Sequence, residues 1–287
     1  MKIKKYLTNV IIKILGRQRL IFWLATEASI KEVHSFNNVA KTFEATGQKN
    51  LQLQILANLC KSKDKTIKPY LINFLENGNN YISQLGQDCL VDTILKNKTD
   101  GFFIEIGVGN GKELSNTYFF EKYRNWDGIL CEPAKQFQDS IRKERKALLI
   151  DKAVYSVSNK SFEFSESDQG EFSSMTDHLS DFVNTNHTIN KYMVETISFN
   201  DLCKNYAVEK KIDYLSIDTE GSEYEILSTI DFNKFEITCV SVEHNYDEIK
   251  YNKINSLMIK NNFVEVFGGL LMWDTFYINK KILNQSL

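Results

Sequence analysis

Alternating strand and helix patterns after residue 80 predict an α/β fold, a mostly parallel sheet with helices on both faces, preceded by a helical module. Three observations carry this. Apolar runs such as FFIEIG (102–107), GILCEP (128–133), ALLID (147–151), IDYLSID (212–218) and ITCVSVEH (237–244) have the length and composition of buried strands. Helical stretches separate most of them: ELSNTYFFEKYR, AKQFQDSIRKER, SEYEILSTI and EIKYNKINSLMIKN. The last two runs, in VEVFGGLLMWDTFYIN, meet through Gly268-Gly269 with no room for a crossover helix, so they are expected to pair antiparallel.

Taken in order, the chain begins with a basic segment. Residues 1–24 carry six Lys or Arg and no acid, with Ile3, Tyr6, Leu7, Val10, Ile11, Ile14 and Leu15 at helical spacing. Lys13 interrupts the apolar run, no small-residue cleavage site follows, and the run falls short of the roughly 18 to 20 apolar residues a bilayer span needs, so neither a signal peptide nor a transmembrane helix is expected. An amphipathic helix is expected, docked on its own domain or on a homodimer mate, or lying peripherally on the inner face of a membrane. Leu51, Ile55, Leu56 and Leu59, then Ile67, Tyr70, Leu71, Phe74 and Leu75, mark further helical faces, and Gly78 is placed to end a helix. NGNN (77–80) is the expected boundary, giving a helical module over 1–80 and a second domain over 81–287.

Composition excludes several classes of function. At 43% hydrophobic and 25% charged residues with a net charge of -2, nothing draws the whole chain to nucleic acid or anionic membrane. Five scattered cysteines without a CxxC pair give neither a zinc site nor a disulfide framework, and fit a reducing cytoplasm.

The chemistry is concentrated where FFIEI runs into Gly107, Gly109 and Gly111. A phosphate loop fails, because Ile106 stands where its first glycine belongs and Glu113 replaces the Ser or Thr that holds magnesium. The dinucleotide fingerprint is weakened by Lys112 at the third glycine position. S-adenosylmethionine suits the loop better, since Glu105 faces a cationic methionine end and Glu132, ending the next strand, can accept both ribose hydroxyls. NAD would use the same acid, so Glu132 alone does not separate the two cofactors.

SQLGQD (83–88), GFFIEIGVGNGKELSNT (101–117), GILCEP and IDYLSIDTEGSEYEIL (212–227) together resemble the FkbM family of S-adenosylmethionine-dependent methyltransferases, over about residues 81–280. The family's usual Lys before the IDxEG core is Ser216 here. The resemblance implies the Rossmann-like class I methyltransferase fold, with strand order 3-2-1-4-5-7-6 and the last strand antiparallel. It also implies a carbohydrate-like acceptor, as in polysaccharide biosynthesis. Glu105, Gly107, Gly109 and Gly111 would then border the methionine part, Ser115, Asn116 and Thr117 would bind its carboxylate, and Asp151, Ala153 and Val154 would lie against the adenine. Gln84 and Gln87 in SQLGQD would bond the amino-acid end, unless the motif is a polar cap for DCLVDTIL.

Methyl transfer asks the protein to align an acceptor oxygen and remove its proton. Asp218 and Glu220 follow the fourth strand and Glu243-His244 the fifth, so His244 is the expected base, with Asp218 beside it in the catalytic and cofactor sites. Asp218, Glu243 and His244 are also competent to gather a divalent cation, but the resemblance carries no metal motif here and no metal is assigned. The polar stretch 165–196 reads as a lid or a plain insertion, with Phe172 and Tyr192 to stack on a sugar and Ser173, Ser174 and Asn184 to bond its hydroxyls. The expected function is a cytoplasmic O-methyltransferase acting on a small-molecule or glycan acceptor. Two alternatives stay open: an NAD-dependent oxidoreductase of a nucleotide sugar, and a non-catalytic adaptor in a glycan-synthesis complex.

Overall fold

The computed structural model describes Tyr70, Asn73, Asn77 and residues 80–167, 174–175, 189–207, 211–266 and 273–281. The expectations placed on residues 1–69, and those on Phe172, Ser173 and Asn184, lie outside these. The chain divides into two compact units, Met1–Lys96 and Asn97–Leu287, so the SQLGQD motif belongs to the first.

In the first unit, the Asn80 and Tyr81 amides donate to the Asn77 carbonyl. Helix α1 (Gln87–Ile94) follows Gly86 (φ 81), which has no side chain to cap it. Ser83 Oγ accepts the Asp88 amide instead, and the Asp88 carboxylate accepts the amides of Ile82 and Ser83 and the Ser83 hydroxyl in return. Gln87 Oε1 accepts the Leu85 amide at 2.8 Å. SQLGQD is therefore a local polar cap for DCLVDTIL, one of the two readings of this motif. Burial lifts the Asp88 carboxyl to about 6 against these bonds.

In the second unit the order is β1 (Phe102–Ile106), α2 (Tyr118–Tyr123), β2 (Asp127–Cys131), α3 (Lys135–Glu144), β3 (Leu148–Ile150), β4 (Ala153–Tyr155), β5 (Ser161–Ser167), β6 (Ser174–Met175), β7 (Ile189–Ser198), α4 (Phe199–Tyr206), β8 (Ile212–Ile217), α5 (Glu223–Ser228), β9 (Ile237–Glu243), α6 (Glu248–Lys260), β10 (Phe263–Val266) and β11 (Asp274–Asn279). The larger sheet has seven strands ordered β3-β2-β1-β8-β9-β11-β10. β3, β2, β1, β8 and β9 pair in parallel, while β11 runs antiparallel to both β9 and β10. Counting these seven strands along the chain gives the order 3-2-1-4-5-7-6 expected above.

The apolar runs become strands because both their faces are covered. Every residue of β1, β8 and β9 is buried, and Ile104, Leu215 and Val240 enter one core with Ile226 and Leu227 of α5 and Ile254 and Met258 of α6. Asp213, buried within β8, is answered by Lys98 Nζ at 2.7 Å and the Phe102 amide at 3.0 Å. Ser216, at the family's Lys position, accepts bonds from Asn116 Nδ2 and the Ser241 hydroxyl.

Two expectations are corrected. The helix read over ELSNTYFFEKYR begins only at Tyr118, because Ser115, Asn116 and Thr117 are drawn to Glu105 instead of continuing a helical ladder. The stretch 165–196 is not featureless: β5 and β7 pair antiparallel from Ser161 opposite Glu195 to Ser167 opposite Ile189, inside a second sheet ordered β4-β7-β5-β6.

Candidate active site

The carboxyl ends of β1, β2, β8 and β9 bring Gly107, Glu132, Asp218 and Glu243 to the same edge of the sheet. Here β1 is the switch point, with β2 on one side and β8 on the other.

All three loop glycines have positive φ, for different neighbours. Gly107 (φ 80) packs so closely on β8 that a Cβ would overlap the Asp218 carbonyl oxygen, while the Asp218 amide donates to Ile106. Gly111 (φ 84) faces Ile141 of α3. Gly109 (φ 58) has nothing within 4 Å of where a Cβ would stand. It is the glycine that leaves room for a ligand against the backbone.

Glu132 grips this loop. Its Oε2 accepts the Val108 and Gly109 amides, each at 2.9 Å, and its Oε1 accepts the Ala134 amide at 2.8 Å. Burial is the main force on the carboxyl and lifts it to about 7; the three amides pull it down and the charge of Glu166 pushes it up. With two amides on Oε2 and one on Oε1, a lone pair on Oε1 remains and can accept one ribose hydroxyl.

Glu105 holds the far side of the loop and is only 2% exposed. It accepts the Ser115 and Thr117 hydroxyls and the Asn116 amide, and Arg145 Nη1 stands 3.6 Å away. Ser115 and Thr117, expected to meet a ligand carboxylate, are thus engaged by Glu105 and by Arg145. Asn116 Oδ1 is buried without a hydrogen-bond partner among the described residues, an acceptor that fits an ammonium. Arg145, absent from the sequence reading, is fully buried and also bonds Gly111 O and Glu121.

Of the residues expected at the adenine, Asp151 is exposed, Val154 packs in the main core, and Ala153 packs beside Ala134, Phe164 and Val194. Gln84 is half-buried in the first unit. Tyr192, expected to stack on a sugar, instead lies under the Lys135 ammonium, which is 4.3 Å from its ring centre, and donates to Glu166.

Beyond β8 and β9, Asp218, Glu220 and Glu243 each offer a carboxylate oxygen within 4.8 Å of the others. The donor set suits a hard divalent cation, and His244 lies outside it. Burial raises all three carboxyls; the charge of Glu223 adds to this at Asp218, and that of Asp218 adds to it at Glu220 and Glu243. Asn245 Nδ2 ties Glu220 to Glu243, and the Lys250 ammonium, 2.5 Å from Glu223, supplies the opposing charge. Glu220, Asn245 and Tyr246 hold left-handed backbone, a strain that concentrates at functional sites.

The His244 amide donates to Trp273 O at 2.7 Å and its ring meets Tyr251 edge-on at 5.5 Å. Among the described residues its Nδ1 is buried without a hydrogen-bond partner. Burial first, then the charge of Lys250, holds the imidazole below its ordinary value, favouring the neutral form a base requires.

The family model of the methyltransferase FkbM domain matches residues 105–268, more than half of the chain and all of the site just described except Trp273. No curated protein and no solved structure matches the chain.

Proposed function

The chain belongs to the methyltransferase FkbM domain family, and on that premise we propose that it is an S-adenosylmethionine-dependent O-methyltransferase of the Rossmann-like class I fold, acting on a hydroxyl of a sugar or glycan. The observation that carries the cofactor reading is the grip of one buried carboxylate, Glu132, on the Val108 and Gly109 amides beside the open face of Gly109. Glu132 would hold a ribose hydroxyl through Oε1, and Asn116 Oδ1, with the charge of Glu105 behind it, would receive the ammonium.

When bound, the cofactor supplies a methyl group on a sulfonium, which departs as a neutral thioether. The chain's own part is to align the acceptor oxygen in line with that methyl and to take its proton. Neutral His244 is the proposed proton acceptor. Asp218, joined to the glycine loop through the Ile106 carbonyl, would set the acceptor's approach together with Glu220 and Glu243.

Calorimetric titration with S-adenosylhomocysteine and with NAD⁺ tests the cofactor. Binding of the first and not the second is expected, and the reverse would replace this reading with an oxidoreductase. Turnover is tested by mass spectrometry on a panel of sugars and oligosaccharides, reading a gain of one methyl group. His244→Ala should lower kcat by about 10² or more while leaving S-adenosylhomocysteine affinity in place. An active variant would remove His244 from the chemistry.

A further inference from the structure

The second sheet reaches the start of α3, where the cofactor reading places the ribose. The first turn of α3 has no capping side chain of its own. Its amides are answered from elsewhere. Ala134 N donates to Glu132 Oε1 at 2.8 Å, Lys135 N to the Tyr192 hydroxyl at 3.0 Å, and Gln136 N to Glu166 Oε1 at 3.0 Å. The Tyr192 hydroxyl also donates to Glu166 Oε1 at 2.9 Å, and Gln136 Nε2 donates to Ser167 O. Glu166, on β5, is 8% exposed, and Tyr192 comes from β7.

A buried carboxylate at a helix N-terminus is stabilised by the orphan amides and the helix dipole. Its place here has a further consequence. Glu132 takes one of its three amide bonds from Ala134, the residue next to the two that Tyr192 and Glu166 pin. If Lys135 and Gln136 shift, the Ala134 amide shifts with them, and so does Glu132 Oε1.

We propose that Glu166 and Tyr192 are positioning residues for the cofactor, fixing through the first turn of α3 the orientation in which Glu132 Oε1 meets a ribose hydroxyl. Two strands inserted between β3 and β8 thereby become part of the binding machinery. The inference rests on the reading of Glu132 as the ribose carboxylate.

The test is calorimetry with S-adenosylhomocysteine on the full chain, arranged as a double-mutant cycle. Tyr192→Phe should weaken binding about five-fold and Glu166→Leu about ten-fold, as for the loss of one or two buried hydrogen bonds. Glu166→Gln keeps the accepting oxygen and should bind within about two-fold of wild type. In a Glu132→Ala background Tyr192→Phe should cost less than about two-fold, because the group it positions is gone. A merely structural role predicts instead the same loss in both backgrounds, and that result, or unchanged affinity in Tyr192→Phe, overturns the proposal. Should Glu166→Leu fail to fold, the Tyr192→Phe cycle decides. A wild-type chain that does not bind S-adenosylhomocysteine removes the cofactor reading and this inference together, whereas binding with additive losses removes only the inference.

Discussion

Gly107 and Gly109 look alike in the sequence and differ in the fold. At Gly107 a methyl group would collide with the backbone carbonyl of Asp218, so β1 and β8 would have to separate. At Gly109 only the left-handed backbone resists substitution. Gly107→Ala should therefore cost more than about 3 kcal/mol in urea unfolding, and Gly109→Ala about 1 to 2 kcal/mol, with S-adenosylhomocysteine binding weakened in a chain that still folds. Equal losses of stability would mean the close approach at Gly107 carries no weight. Glu132→Ala should weaken S-adenosylhomocysteine by roughly 2 to 3 kcal/mol, since it removes an acceptor for the ribose and frees three amides, of Val108, Gly109 and Ala134. Glycine spacing and a carboxylate closing the next strand were legible because both are local features. Arg145, Glu166 and Lys250 were not, for each acquires its partners only when distant segments meet.

At the scale of elements, parallel strands buried on both faces announce themselves as apolar runs, so β1, β2, β8 and β9 could be read directly. β5 and β7 could not. SFEFSES and KYMVETIS alternate, but serine, glutamate and lysine on alternate positions read as a solvated insertion until their pairing is known. The start of α2 was misplaced for a related reason, as Glu105, ten residues upstream of Ser115, outcompetes the helix for its first hydroxyls and amides. Arg145 completes that junction, since from the end of α3 it bonds Gly111 O, Ser115, Thr117 and Glu121 of α2. Arg145→Met would leave Glu105 buried without its cation and Glu121 with Lys122 alone, and should cost about 3 to 5 kcal/mol in urea unfolding. Arg145→Lys should recover only part of this, because an ammonium cannot present the planar fork that spans these acceptors. Full recovery by lysine would reduce the residue to a point charge.

At the scale of the whole molecule, the buried acids set how stability follows pH. Burial raises Asp88 to about 6 and Glu132 to about 7, and lifts Asp218, Glu220 and Glu243 as an interacting group. A carboxyl raised in the fold holds its proton where the unfolded chain has released it, so its contribution is complete below about pH 4 and is lost as pH rises toward its folded value. Glu121, Asp100 and Asp201 act oppositely. Burial opposes the change at Glu121, but the Arg145 charge and the Lys146 and Ala147 amides win, while side-chain hydrogen bonds lower the other two. Their stabilisation is present above the ordinary carboxylate range and fails only in stronger acid. His244, held neutral, gains stability as pH climbs to about 6.5, one group against five. Measured by scanning calorimetry in chelator, which keeps cations from the acid cluster, the melting temperature should therefore pass a maximum near pH 4 and fall toward pH 8. Magnesium should recover part of the loss at pH 8 if Asp218, Glu220 and Glu243 ionise together around it, and none at pH 5, where they are protonated. A melting temperature that is flat or rises between pH 5 and 8 in chelator would show that the fold accommodates these carboxylates ionised.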